Sequence, residues 1–76
     1  METFNEIAAD ALKHPIADIK DSLTPEDVPE WDSMNYLMLI ANLEKHFKIS
    51  FSMDEVLNAK SLGDIRAALI AKGISA

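Results

Sequence analysis

Apolar residues recur at intervals of three and four along most of this chain, and that spacing restricts the fold to helices. The first helical segment opens with a capping-box pair, Thr3 and Glu6. One apolar face follows it, formed by Phe4, Ile7, Ala8 and Ala11. His14-Pro15 is predicted to end the segment, because the residue before a proline avoids the helical backbone region.

The middle of the chain predicts two further helices and a connector. The second helix runs from about Ser33 to Phe47, and a capping box at residues 52–55 opens a short third helix that ends near Asn58. Apolar and polar residues alternate over 47–51, as in a strand. The sequence offers no second strand to pair with it, so we predict an extended connector.

The last helix carries signals at both ends. Ser61 and Asp64 are predicted to cap its start, and Gly73 followed by Ile74 predicts a Schellman ending. Its inward positions are expected to be Leu62, Ile65, Ala68 and Leu69. Together the segments predict an all-α fold, a small four-helix bundle with three longer helices and one short third helix. Its length predicts a single domain over residues 1–76.

A long connection, residues 15–31, separates the first two helices. It contains all three prolines and five carboxylates, and Asp32 adds a sixth just beyond its end. Structureless connections of this length are uncommon in compact domains and are often functional. Within it, residues 24–27 predict one helical turn with Thr24 as its cap. The apolar residues expected to attach it to the core are Ile16, Ile19, Leu23 and Val28.

Composition and charge exclude several function classes. The net charge of −6 opposes binding to nucleic acid and suits docking onto basic patches of partner proteins. The chain has no cysteine, so thiol chemistry would need a thiol from outside. The carboxylates of the connection lack the spacing of a calcium loop, which predicts a solvated acidic face rather than a metal site. Without a leader pattern or an apolar run of about 18 residues, we expect a cytoplasmic monomer with no membrane span.

The tetrapeptide Trp31-Asp32-Ser33-Met34 lies where the polar connection meets the second helix. Asp32 is placed as the N-cap, so Ser33 falls in the first turn, where free N–H groups and the helix dipole favour an attached phosphate. A catalytic serine needs a base and an orienting acid. His14 precedes a proline and His46 lies near the far end of the helix, so we predict no catalytic residue. The alternative for Ser33 is an ordinary helix-start serine.

The second predicted helix has two apolar faces. The inner face consists of Tyr36, Leu39, Ile40, Leu43 and Phe47. The second face, here termed the outer stripe, consists of Met34, Leu37, Met38 and Ala41. Either the helix is buried on both sides or the outer stripe is exposed. We expect exposure, because four elements cannot easily surround one helix, and exposed methionine-rich patches are typical of interaction surfaces.

These residues together resemble the acyl carrier proteins, or more broadly the phosphopantetheine-dependent carrier proteins. Asp32-Ser33-Met34 is similar to the Asp-Ser-Leu attachment motif of that family. The Phe47-Lys48-Ile49 exit, the short third helix and the Ser61-Leu62-Gly63-Asp64 start of the last helix follow in the expected order. The resemblance covers nearly the whole chain.

The resemblance implies a function without catalysis. Ser33 would receive 4′-phosphopantetheine from coenzyme A through a separate phosphopantetheinyl transferase, and the thiol of the arm would hold an acyl or aminoacyl group as a thioester. Asp32 would cap the helix and help present Ser33. The outer stripe (Met34, Leu37, Met38 and Ala41) would bind partners, namely the transferase, an acyl-loading ligase or synthase, and downstream acyl-using enzymes.

The chain departs from the fatty-acid carriers at several positions. Residues other than acids stand where acids are expected on the second helix, at Asn35, Met38, Lys45 and His46. Trp31 replaces a small residue before the motif, either as a core anchor or as a partner contact. These departures favour a specialised biosynthetic pathway. The alternative function is a non-covalent helical interaction module that uses the outer stripe.

Overall fold

The computed structural model describes residues 3–74, and it contains four α-helices and one 3₁₀ turn. The helices are α1 (Phe4–Leu12), α2 (Ser33–Phe47), α3 (Met53–Asn58) and α4 (Leu62–Ala71). The 3₁₀ turn, Ile16–Asp18, lies in the long connection. No strand occurs between residues 3 and 74, and residues 48–51 form the predicted connector, with Phe47 as the last residue of α2. The predicted all-α class with a short third helix is therefore confirmed.

All four helices begin at a side chain that accepts a backbone N–H from three residues further on. The four caps are Thr3 (3.2 Å), Asp32 (2.8 Å), Ser52 (3.1 Å) and Ser61 (3.3 Å). Glu6 and Glu55 reciprocate by accepting the N–H of their own cap residue, which completes two capping boxes. Local sequence decides these boundaries, because each cap satisfies a donor that the helix itself leaves free.

Three of the four helices end with a residue in the left-handed conformation, whereas α3 ends at Ala59 in an extended conformation. Lys13 (φ 51°) ends α1, Lys48 (φ 56°) ends α2, and Gly73 (φ 87°) follows α4. The predicted Schellman ending is present, since the Ile74 N–H donates to the Leu69 carbonyl at 3.0 Å. The boundary predicted for α1 is slightly wrong. The left-handed turn at Lys13 reverses the backbone before the proline is reached.

The core lies between α1, α2, α4 and the connection. Its helical members are Phe4, Ile7, Ala8, Ala11, Leu12, Leu39, Ile40, Leu43, Leu62, Ile65 and Leu69. The connection contributes Ile19, Leu23, Val28 and Trp31. The expectation for Ile16 is wrong, because its side chain is 51% exposed. Ile16 begins the 3₁₀ turn, whereas Ile19 lies just after it in an extended backbone (φ −71°, ψ 122°), so the two side chains face different ways and only Ile19 is buried.

The predicted turn at residues 24–27 is present, but its cap works in the opposite direction. The Asp27 N–H donates to the Thr24 carbonyl at 2.9 Å, which closes the turn. The Thr24 hydroxyl and N–H both donate to the Asp27 carboxylate, at 3.2 and 3.1 Å. An ionised carboxylate only accepts, so the hydroxyl must be the donor.

The long connection is fixed to the start of α4. The Leu62 N–H donates to the Leu23 carbonyl at 3.0 Å, and the Gly63 N–H donates to the Asp21 carbonyl at 2.9 Å. These are first-turn donors that α4 cannot satisfy internally. The connection is thereby held across one end of the bundle.

Among the described residues, no helix has the length and apolarity that a bilayer crossing requires.

Candidate functional site

Ser33 is the first residue of α2, and its side chain is exposed. The residue before it, Asp32, has an extended backbone, and its carboxylate accepts the Asn35 N–H at 2.8 Å. The Asp32 carbonyl accepts the Tyr36 N–H at 2.9 Å. The N–H groups of Ser33 and Met34 precede the first intrahelical bond, so helix geometry gives them no acceptor. An exposed hydroxyl thus lies beside two free donors at the positive end of the α2 dipole.

The segment that leads to Ser33 is held by two hydrogen bonds and a buried side chain. Trp31 is buried, and its N–H donates to the Val28 carbonyl at 2.9 Å. The side-chain amide of Asn35 donates to the Glu30 carbonyl at 2.8 Å, which ties the connection back onto α2. Of the two roles considered for Trp31, the core anchor is therefore the observed one. The contribution of Asn35 was not predicted, because its acceptor is a backbone carbonyl.

The outer stripe is exposed along its whole length. Met34 is 72% exposed, and Leu37, Met38 and Ala41 are exposed as well. On the opposite side of the same helix, Leu39, Ile40 and Leu43 are buried. The predicted division of α2 into an inner and an outer face is therefore observed. Partner binding by the stripe stays a prediction.

The helix that bears the outer stripe has little negative charge, although the chain as a whole is acidic. The only acidic side chain within α2 is that of Glu44, and it is used internally, since it accepts the Phe51 N–H at 2.8 Å. Lys45 is exposed, and the His46 ring packs edge-on against Phe47.

His46 lies thirteen residues from Ser33 along α2, a distance of about 20 Å. Among the described residues, no group of three or more side chains is arranged to bind a metal ion.

Tyr36 links α2 to α3. Its hydroxyl donates to the Val56 carbonyl at 2.7 Å, and its ring lies against the Trp31 ring with the centroids 6.0 Å apart. Partial burial raises the pKa of the Tyr36 hydroxyl, and the Asp64 carboxylate raises it further, so the group remains a donor at neutral pH. The sequence indicated Tyr36 only as an inner-face residue. The available signal was that a half-buried tyrosine needs a partner for its hydroxyl.

Polar contacts hold α3 to α4. The Lys72 ammonium pairs with the Glu55 carboxylate at 2.8 Å and lies 5.6 Å from the centre of the Phe51 ring. The hydrogen bond from Lys72 lowers the pKa of Glu55, and the Ser52 N–H lowers it further. No residue of α3 is fully buried. The helix also exposes Met53 and Leu57, which the sequence analysis did not single out.

Comparisons with known proteins identify a family and a similar structure. A family model described as "Phosphopantetheine attachment site" matches residues 2–69. Nine chains of solved structures match this one. One is a candidate acyl carrier protein from Mycobacterium tuberculosis, with 25% sequence identity and a TM-score of 0.81, covering 91% of this chain and 92% of that chain. No curated protein matches the sequence.

Proposed function

Because this chain belongs to the phosphopantetheine-attachment family, we propose that it carries acyl or aminoacyl groups as thioesters on an arm attached to Ser33. As a member of this family it is an acyl carrier protein rather than an enzyme, and its cofactor is covalent 4′-phosphopantetheine. The attachment at Ser33 and the acyl or aminoacyl cargo are what we propose beyond membership of the family.

The observation that carries the proposal is the exposed Ser33 hydroxyl at the first position of α2. A modifying enzyme can reach that oxygen without unfolding the chain. The residues there suit a phosphodiester, because the N–H groups of Ser33 and Met34 and the positive end of the dipole favour a negative charge. Asp32 satisfies the Asn35 N–H and leaves those two donors free.

Attachment of the arm is a substitution at phosphorus. The Ser33 Oγ forms the new bond to the phosphorus next to pantetheine, and the bridging P–O bond of the coenzyme A pyrophosphate breaks. Adenosine 3′,5′-bisphosphate leaves, and the serine proton passes to a base on the transferase, which uses Mg²⁺. When bound, the arm supplies a terminal thiol that holds the acyl group. The chain itself has no cysteine to serve that purpose.

We assign partner binding to the outer stripe. It begins at Met34, one residue from the attachment point, and it exposes apolar surface without a carboxylate on it. The partners are the phosphopantetheinyl transferase, an acyl-loading ligase or synthase, and downstream acyl-using enzymes. Tethering the cargo raises its effective concentration at whichever partner is docked.

The proposal extends to a specialised biosynthetic pathway. Support comes from α2, where Asn35 and Met38 are uncharged and Lys45 is basic, so partner recognition cannot rely on an acidic helix. We also propose a single carrier domain over residues 1–76, acting as a monomer in the cytoplasm, where coenzyme A is available.

The test is modification followed by intact-mass measurement. Incubation with coenzyme A and a broad-specificity phosphopantetheinyl transferase should add one phosphopantetheine to the wild-type protein. Ser33→Ala should add none, while Ser50→Ala, at another exposed serine, should be modified like the wild type. An unchanged wild-type mass with a transferase that modifies a control carrier would contradict the proposal.

A non-covalent interaction module is the second candidate, because the outer stripe is exposed and its use as a binding surface would not require Ser33. The two functions differ in their dependence on Ser33. A module would keep its partner binding in Ser33→Ala and would gain no mass. A carrier with the Ser33→Ala change would lose acyl delivery completely.

A further inference from the structure

We propose that Trp31 and Tyr36 exclude the cargo from the helical core, so that the acyl group stays outside the bundle. This inference rests on the function proposed above. It concerns the substrate class, because cargo that stays in water is best short or polar. Trp31 and Tyr36 would then be the residues that determine which cargo the protein carries.

Tyr36 spans the seam between α2 and α3, three residues after the attachment residue, and the Trp31 ring packs beside it. Tyr36 extends from the first turn of α2 to the Val56 carbonyl of α3, at 2.7 Å. The Trp31 ring, 8% exposed, lies against the Tyr36 ring at a centroid distance of 6.0 Å and an interplanar angle of 31°. An apolar chain carried on the arm would have to displace these two rings to enter the core between α2 and α3.

Opening the seam would also break polar contacts. Tyr36 would leave the Val56 carbonyl, and a partly buried acceptor without a partner is costly. On its other side α3 is held by the Glu55–Lys72 pair, and the segment before it is held by Glu44 through the Phe51 N–H. These contacts favour the closed arrangement of α3.

Two grooves elsewhere on the surface are not lined by the attachment residue. A groove of about 430 Å³ between α1 and the last turns of α2 is lined by Ile7, Asp10, Asn42, Lys45 and His46. A groove of about 320 Å³ between α3 and α4 is lined by Glu55, Asn58, Ala59, Asp64, Ala67 and Ala68. Both contain charged side chains, and neither is lined by Ser33 or by the outer stripe.

The free-energy cost of leaving apolar surface in water indicates which class of cargo suits this protein. Apolar surface left in water is unfavourable in proportion to its area, so each added methylene makes an unsheltered chain less favourable. Short acyl groups, hydroxylated acyl groups and aminoacyl groups avoid this cost. We therefore assign short or polar acyl groups, or aminoacyl groups, as the cargo.

The test compares two loaded forms of the full chain. The broad-specificity transferase is supplied with coenzyme A in one reaction and with octanoyl-coenzyme A in the other, and intact mass confirms each product. Failure to add either arm would contradict the proposed function itself. With both products in hand, the octanoyl form should melt within about 4 °C of the unacylated form, less than the shift expected from 1 kcal/mol in a domain of this size. A larger rise in melting temperature would mean that the octanoyl chain is sheltered in the core, and it would overturn the inference.

Substituting Trp31 tests whether this residue keeps the cargo out of the core. In Trp31→Ala, octanoylation should raise the melting temperature by more than about 4 °C, because the octanoyl chain can fill the space left by the indole ring. Trp31→Phe, which keeps an aromatic ring, should behave like the wild type. The comparison is made within each variant, so a general loss of stability cancels. A Trp31→Ala protein without this rise would overturn the role of Trp31, and if it does not fold, the wild-type comparison still decides.

Discussion

At the scale of single residues, Asp32 and Ser33 are neighbours with separate tasks. The Asp32 carboxylate is committed to the Asn35 N–H at 2.8 Å, so it belongs to the structure of α2. The Ser33 side chain is exposed, so it is available to a modifying enzyme. The fold therefore depends on the aspartate, and the proposed modification depends on the serine.

The two substitutions should separate these tasks. Asp32→Ala should lower the free energy of unfolding by about 1 kcal/mol, because the cap is lost. Ser33→Ala should change it by about 0.5 kcal/mol or less, since exposed positions contribute little. Asp32→Asn is the matched control, since asparagine caps equally well. Urea denaturation measures all three, and a Ser33→Ala loss equal to that of Asp32→Ala would contradict the division.

At the scale of elements, α2 separates attachment to the core from contact with partners. Its inner face is buried or partly buried and its outer stripe is exposed, and the two faces lie on opposite sides of one helix. A charge introduced on the outer side meets water, whereas a charge introduced on the inner side loses its hydration.

Met38→Glu and Leu39→Glu form a matched pair on adjacent positions. Met38→Glu should leave the circular dichroism spectrum and melting temperature nearly unchanged. We expect it to reduce kcat/KM for modification by the transferase about fivefold or more, the effect of losing a contact worth about 1 kcal/mol. Leu39→Glu should unfold the domain. Unfolding by Met38→Glu would show that the outer stripe is part of the core.

The short helix α3 should respond to pH through Glu55. Hydrogen bonds from Lys72 and then from the Ser52 N–H lower the pKa of Glu55 in the folded state. The stabilisation is therefore present above the unfolded glutamate pKa of about 4.3 and is lost as the pH falls through the lower folded pKa.

Glu55→Gln tests this dependence. Its stability deficit relative to the wild type should be largest near neutral pH and should shrink as the pH falls below about 4. Lys72→Met should reduce the same pH-dependent difference, because it removes the first cause of the shift. Denaturation curves between pH 7 and pH 3 provide the measurement. A deficit of Glu55→Gln that does not vary with pH would contradict the assignment.

At the scale of the whole molecule, Arg66 joins three distant parts of the chain. Its guanidinium donates to Asp21 of the connection at 2.8 Å and to Asn5 of α1 at 2.6 Å. It also lies over the Phe4 ring, 4.5 Å from the centroid. Together with the two backbone bonds from the start of α4, these contacts hold the connection against the bundle. The position of Ser33 depends on this tertiary arrangement, because the connection leads directly into α2.

Gly63→Ala probes how closely the connection approaches α4. A Cβ at this position would lie 3.0 Å from the Asp21 Cβ and 3.1 Å from the Asp21 carbonyl oxygen. The backbone cannot move away freely, since the Gly63 N–H donates to that same carbonyl. We expect a net loss of about 1 kcal/mol, because crowding outweighs the better helix propensity of alanine. Thermal melting measures it, and an unchanged or raised melting temperature would show that the connection yields without cost.

The structure also corrects two details of the connection. Ile16 is exposed where the sequence indicated a core residue, and the Thr24 hydroxyl donates to Asp27 where the sequence indicated a cap. Both errors lie outside the regular helices. Hydrophobicity and cap patterns are reliable where a repeating geometry relates sequence spacing to direction, and the connection has no such repeat.

The amino-acid sequence alone determined the four helices, their caps, the two faces of α2 and the placement of Ser33 in a first turn. These features depend on residues three or four positions apart, whose relation is fixed by helix geometry. Only the tertiary structure decided the burial of Trp31, the Tyr36–Val56 bond across the α2–α3 seam, and the convergence of Asn5, Asp21 and Arg66. Those contacts join residues far apart in the chain, and no local spacing specifies which distant groups the packed core brings together.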